Sequence, residues 1–185
     1  MRLSLAVAVS LLAALALVSC EGPSSPAEGP ADPETAFSHA TTADISGYYV
    51  PTEPVRFGQW SFDHLFVGQA SEFETWEGGS RADAFGPVML QFDDATSPMV
   101  ATELGEAHSV TTRVLPTRYQ VTDTAVTFEG RSPELGQVAF EGRLDPDALA
   151  VSRRNLGGDG VVMTGTLTAG GRTVRNISLR WWMGD

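Results

Sequence analysis

The chain has 185 residues, enough for one domain with a sizeable core, and a formal charge of −11 at pH 7. All 12 basic residues are arginine, so Schiff-base and phosphate-loop lysine chemistry is excluded. The acidic balance repels phosphate backbones and anionic lipid surfaces, so no nucleic-acid partner is expected.

The N-terminal segment opens Met1-Arg2 and is apolar from Leu3 to Val18 apart from Ser4 and Ser10. A charged start, a short apolar centre and small residues before a cut form the layout of a secretory signal peptide, here residues 1–19. The run is short of the ~20 apolar residues that a membrane-spanning helix needs. No arginine follows until Arg56, so no positive cluster would hold the downstream flank in the cytoplasm.

Leu17-Val18-Ser19-Cys20 resembles the lipobox of bacterial lipoproteins, an aliphatic and two small positions before a cysteine. The resemblance covers the first 20 residues. It implies lipidation of Cys20 with diacylglycerol and a fatty acyl chain such as palmitate, and cleavage in front of it. Each buried CH₂ contributes ~0.8 kcal/mol, and two or more chains anchor a protein stably where one is marginal. Cys20 is the sole cysteine, so internal disulfides and cysteine-ligated metals are excluded. Glu21 at the next position points, by the enterobacterial sorting rule, to the outer membrane facing the periplasm.

Residues 20–44 carry Pro23, Pro26, Pro30 and Pro33 among Glu21, Glu28, Asp32, Glu34 and Asp44. With so little apolar surface they are expected to form a disordered tether of roughly 25–30 Å.

Residues 45–185 read as a β-rich domain. Short alternating runs dominate, with no convincing 3.6-residue rhythm. In chain order they are ISGYYV, GQWSFDHLFVG, FETWEG, PVMLQF, SVTTRVL and RYQVT. AVTFEG and GQVAFEGRL come next, then ALAVSRR, which reads as a strand or a helical turn after Pro146. Val126 and Phe128 match Val138 and Phe140, with Glu129 and Glu141 facing away, a pattern suited to neighbouring strands. VVMTGTLT, AGGR and TVRNISLRWWM form a hairpin around Gly170-Gly171, with Ile177, Leu179 and Trp181 on one side of its second arm. The fold expected is all-β: an antiparallel meander of about nine or ten strands, closed as a barrel or stacked as a two-sheet sandwich. Gly58-Gln59-Trp60 resembles the Gly-x-Trp opening of lipocalins, which implies a lipocalin-like barrel. Strands ahead of Gly58, and Thr124 where that family has an aromatic after Thr122-Asp123, depart from it.

No catalytic, metal or cofactor signature stands out, so the domain is expected to be neither an enzyme nor a cofactor protein. His39, His64 and His108 are dispersed, with His39 in the tether. Asp63-His64 is an acid–histidine neighbour pair, but adjacent strand residues point to opposite faces, which makes a relay poor geometry. Glu74, Glu77, Asp93 and Asp94 read as solvated loop ends rather than a carboxylate pair or a calcium loop. The aromatics carry more promise. Trp181 and Trp182 must send one ring inward and one outward, and Trp60, Trp76 and Trp182 are the candidate ligand or partner surface. The function expected is non-catalytic binding of an apolar or glycan ligand in the periplasm. The alternative is an accessory or inhibitory subunit that docks on an envelope protein complex.

Overall fold

Residues 36–103 and 105–184 are described by a computed structural model. Cys20, the signal peptide and most of the expected tether lie outside the described residues.

The domain is all-β. Ten strands follow one another along a single curled sheet in the order β1 (Phe37–Ala40), β9 (Pro116–Thr122), β10 (Ala125–Ser132), β11 (Gly136–Leu144), β12 (Val161–Ala169), β13 (Arg172–Trp182), β2 (Gly47–Pro51), β4 (Trp60–Val67), β5 (Val88–Asp94) and β8 (Thr111–Val114). β3 (Val55–Phe57) pairs off this path with β4, and β6 (Met99–Thr102) with β7 (Gly105–His108) forms a separate two-stranded ribbon. Leu115 alone separates β8 from β9, and the two strands pair with β5 and β10. One stretch of chain, 111–122, thus joins the two sides of the curl into a barrel-like form. Gly130 makes the bend possible, because a Cβ there would lie 2.5 Å from the Leu115 carbonyl oxygen.

Alternation drives the curl. Val126, Phe128, Val138, Phe140, Leu167, Ile177 and Leu179 all turn inward and are buried, as their period of two requires. Phe128 pairs directly with Phe140, and Ala169 with Arg172 across Gly170 and Gly171. Both glycines have positive φ (56° and 72°), as a two-residue hairpin turn with the strands' own twist demands. Tyr49, Leu65, Phe92 and Tyr119 complete an interior filled by the protein's own side chains. Gly58-Gln59 is the turn of the β3–β4 hairpin, so the Gly-x-Trp triplet closes a hairpin here.

Two expectations are corrected, and the open reading of ALAVSRR resolves to its helical alternative. The run FETWEG is not a strand but part of α1 (Ala70–Glu77), which buries Phe73 and Trp76 one turn apart; the Glu72 carboxylate accepts the Gln69 N–H at 2.7 Å and Gly78 ends it. ALAVSRR belongs to α2 (Pro146–Arg154), capped by Asp145, whose Oδ1 accepts from Asp147 and Ala148 N–H at 3.0 Å each. Ordered structure also starts before residue 45. β1 pairs in parallel with β9, inside the segment read as tether. Just beyond β1, Asp123 fastens the chain by accepting the Thr42 N–H (2.8 Å), the Thr42 hydroxyl (2.8 Å) and the Ala43 N–H (3.1 Å).

His39 therefore belongs to the fold. Its ring stacks on Phe73 of α1, with centroids 3.9 Å apart and planes 6° from parallel. Burial lowers its pKa from 6.5, against the opposing pull of Glu77, Glu74 and Asp123. The unfolded chain consequently takes up this proton at higher pH than the folded one. Stability from His39 is complete above the unfolded value of 6.5 and drains as pH falls through it, until the folded ring titrates too. Thermal melts at pH 7.5 and 5.5 should show a larger loss of Tm in the natural chain than in His39→Phe, which keeps the stacked ring and removes the proton. Equal losses would mean that His39 carries no linkage.

Candidate functional site

The outer face of the sheet carries a run of aromatic rings. Inward alternation of Tyr49, Leu65 and Trp181 obliges Tyr48, Phe66 and Trp182 to face outward. Register then aligns them: Trp182 pairs with Tyr48, and Tyr48 with Phe66. Ring centroids lie 5.5 Å apart for Trp182–Tyr48, 5.3 Å for Tyr48–Phe66 and 5.5 Å for Phe66–Phe85. The result is a continuous four-ring strip across β13, β2 and β4 that ends on Phe85. Exposed Met183 follows it in the chain, and Gly184, with φ of 86°, lies against the Tyr48 ring, where a Cβ would come within 2.8 Å.

A polar row runs beside the strip. The His64 ring meets Tyr48 edge-on, centroids 4.9 Å apart, and its Nδ1 lies 2.7 Å from Asp63 Oδ2. The acid–histidine pair expected to diverge is thus formed. The reason is a β-bulge: Phe62 pairs with Phe92 and His64 with Gln91, so Asp63 is an extra residue and the alternation breaks there. Gln91 Nε2 donates to Asp63 (3.3 Å), and Arg113 Nε donates to Gln91 Oε1 (3.1 Å). Asp93 lies close by, its carboxyl held above the usual range by burial first and by the Asp63 charge second. The row is a set of oriented hydrogen-bond donors and acceptors.

Two hollows flank the strip and share Glu72. One, about 400 Å³, is walled by Tyr48, Phe66, Trp181 and Met183 and closed by Asp44 and Arg153. Arg153 bonds Asp44 and the Ser46 carbonyl (2.8 Å) and stands 5.0 Å from the Trp181 ring centroid. Burial works to raise Asp44, but hydrogen bonds from Ser46 and the Arg153 guanidinium outweigh it and hold the carboxyl below its ordinary value. Trp181 Nε1 donates to Ser46 O at 2.9 Å, and Gly47 admits the indole, since a Cβ would fall on Trp181 Nε1. The other hollow, about 250 Å³, has Trp76, Phe85 and Pro87 in its wall.

The candidate tryptophans thus separate. Trp182 is in the strip, half-buried. Trp76 is not on the surface: it is 6% exposed, because α1 turns it toward the core, and it meets solvent only as the wall of the smaller hollow. Trp60 sits at the far end of β4, paired with Phe57 and Asp94 and packed against the core, away from the other two. Glu77 and Asp94 serve the fold, as acceptors for the Tyr119 hydroxyl (2.9 Å) and for Thr96 and Gln59. Among the described residues no group of three His, Cys, Asp or Glu side chains is placed to hold a metal. Sequence reading missed Tyr48, Phe66, Phe85, Gln91 and Arg113. The adjacent pair Tyr48-Tyr49 carried the same one-in, one-out signal as Trp181-Trp182.

No protein-family model matches the chain, and no curated protein or solved structure does.

Proposed function

We propose that this is a lipid-anchored protein of the bacterial envelope whose β domain acts without catalysis, binding a neutral glycan on the outer face of its sheet. The observation that carries the reading is the four-ring strip lying directly against the Asp63–His64–Gln91–Arg113 row. A pyranose presents an apolar C–H face that suits aromatic rings and a rim of hydroxyls that needs planar donors and acceptors. An interior filled by the protein's own side chains supports a site on the outer face rather than inside the curl. A net charge of −11 disfavours phosphorylated or carboxylated sugars. The lipobox ending in Cys20 supports the anchor, and Glu21 an outer-membrane address facing the periplasm.

The test uses the full chain extracted from bacterial membranes in detergent and titrated with neutral oligosaccharides while tryptophan fluorescence is followed. Saturable quenching is expected, and its absence across glucose- and N-acetylglucosamine-based oligomers would sink the reading. In the same preparation Cys20→Ala should move the protein from the membrane pellet to the soluble fraction; a chain still pelleting would end the anchor proposal.

A second reading, docking on an envelope protein complex, is favoured by the β6–β7 ribbon. Met99 and Val100 there are 49% and 44% exposed, and an exposed apolar ribbon is a surface that partners cover. Site-specific crosslinking from position 100 in intact cells would capture one discrete partner if this reading holds.

A further inference from the structure

We propose that the apolar spot where α2 ends beside the last residues of β13 is a contact surface for a bilayer of net-neutral phospholipid; the inference rests on the Cys20 anchor proposed above and not on the glycan. Leu156 is where it starts. Its side chain is 71% exposed, more than any other large hydrophobic residue among those described, and its φ is 56°. The local fold explains the angle but not the leucine. Asn155 caps α2, Leu156 N–H donates to the Arg153 carbonyl (3.2 Å) and Gly157 N–H to the Ser152 carbonyl (2.9 Å), the two bonds that close a helix through one left-handed residue. Glycine suits that position, because a Cβ is strained there. A leucine held there in water returns nothing to the folded domain, which points to a use outside it.

Its neighbours make it a surface. A Cβ on Gly157 would lie 3.8 Å from the Trp181 carbonyl oxygen, which sets the end of α2 beside β13. Met183, just past β13, is 53% exposed, and Val161, paired with Arg180, is exposed too. Arginines border these side chains. Arg153 is tied to Asp44, while Arg154 and Arg180 have no ion-pair partner among the described residues. One acid, Asp159, shares the loop. Apolar tips among guanidinium groups suit a phospholipid surface, whose acyl region takes the tips while its phosphates accept from the arginines. The net charge of −11 argues against an anionic surface and for a zwitterionic one. The other exposed apolar spot, Met99 and Val100, stands near Glu103 and Glu106 with no arginine in its ribbon, so it lacks partners for the headgroups.

Reach favours the bilayer over other occupants. Residues 21–35 separate Cys20 from the first described residue, and even fully extended they span roughly 50 Å. A domain of this size is about 40 Å across, so once anchored it stays in the neighbourhood of the bilayer. Tethering at that range raises the effective concentration of lipid, and a small patch too weak to hold a free protein then remains engaged.

The test uses the full lipidated chain reconstituted into phosphatidylcholine vesicles. Lipidation occupies Cys20, so a cysteine introduced elsewhere takes a fluorescent label alone. Leu156→Cys carries a nitrobenzoxadiazole label, and Gln137→Cys, at the far end of β11 from α2, carries the same label as a reference. Lipids with a nitroxide in the acyl chain should quench the label at 156 about threefold more than the label at 137. Leu156→Gly removes the side chain and relieves the positive φ, so it should hold or raise Tm while quenching of a label on Met183→Cys falls about twofold. Unchanged quenching at 183 would take Leu156 out of the surface and the proposal with it. Equal quenching at 156 and 137, or none at either in chains that still float with the vesicles, overturns the contact surface and leaves the anchor standing. A label at 156 that is shielded from water yet unquenched by lipid means that a protein, such as a second copy, covers the spot, and overturns it as well. Chains that fail to float overturn the anchor and the contact surface together.

Discussion

Phe140→Ala should cost about 3–5 kcal/mol of folding stability, near the top of the range for large-to-small core changes. Phe140 is 1% exposed and pairs with Phe128 on one side and Leu167 on the other. Its ring also lies across two glycines that pair with each other, Gly142 and Gly165. A Cβ on Gly142 would come within 2.6 Å of the ring and one on Gly165 within 2.8 Å. The glycines thus vacate the space that the ring fills. Once the ring is gone, neither has a side chain that can relax into the hole, which keeps the cavity open and its cost high. Against a typical total of ~5–15 kcal/mol, this is a large fraction. Urea unfolding should show a lower midpoint with an unchanged slope. A loss below about 1 kcal/mol would mean that the glycine pair does not hold the ring.

The same residues show why the sheet was legible in the sequence. Val-x-Phe repeated at Val126–Phe128 and Val138–Phe140, and a repeat of period two between turn residues specifies both a face and a partner. Gly170-Gly171 fixed the last hairpin because two successive positive φ angles suit glycine best. The curl itself was less legible. It depends on Gly130 admitting the Leu115 carbonyl, a contact between β10 and the β8–β9 junction that local pattern does not reveal.

α1 and the first strand escaped, and α2 stayed open between strand and helix, for different reasons. In α1 the residues Phe73-Glu74-Thr75-Trp76 alternate well enough to imitate a strand, and its N-terminal signal lacks the usual Ser or Thr, with Gln69 in that place. Eight residues are too few for a helical period to outweigh that. α2 announced itself through Asp145-Pro146, yet its apolar content left strand open as a reading. β1 comes after a proline- and acid-rich stretch, and its order comes from distant groups: Tyr119 to Thr122 in the ladder and Asp123 through three hydrogen bonds. At Asp63-His64 the rule of opposite faces failed because it presumes an unbroken ladder, and a bulge removes that premise. These departures are what assemble the candidate site. α1 brings Trp76 beside Phe85, and the bulge turns His64 toward Tyr48.

Trp182→Ala should weaken binding of the N-acetylglucosamine trimer by about thirtyfold, equivalent to ~2 kcal/mol, while the domain stays folded. The ring is half-buried on the outer face at the last residue of β13, so its removal opens no cavity in the core, where Trp181 remains. What is lost is one end of the stacking surface and the edge that shields Tyr48, 5.5 Å away, from water. Aromatic anchors of this kind carry a disproportionate share of binding energy because their large faces are desolvated at little conformational cost. Trp60→Ala provides the opposite pattern. Trp60 packs against the core and is remote from the strip, so its loss should lower Tm and change affinity less than twofold. Isothermal titration of both variants, with thermal melts on the same samples, separates the cases. Affinity that falls equally in both, in proportion to the loss of Tm, would mean that binding follows global stability rather than the aromatic strip.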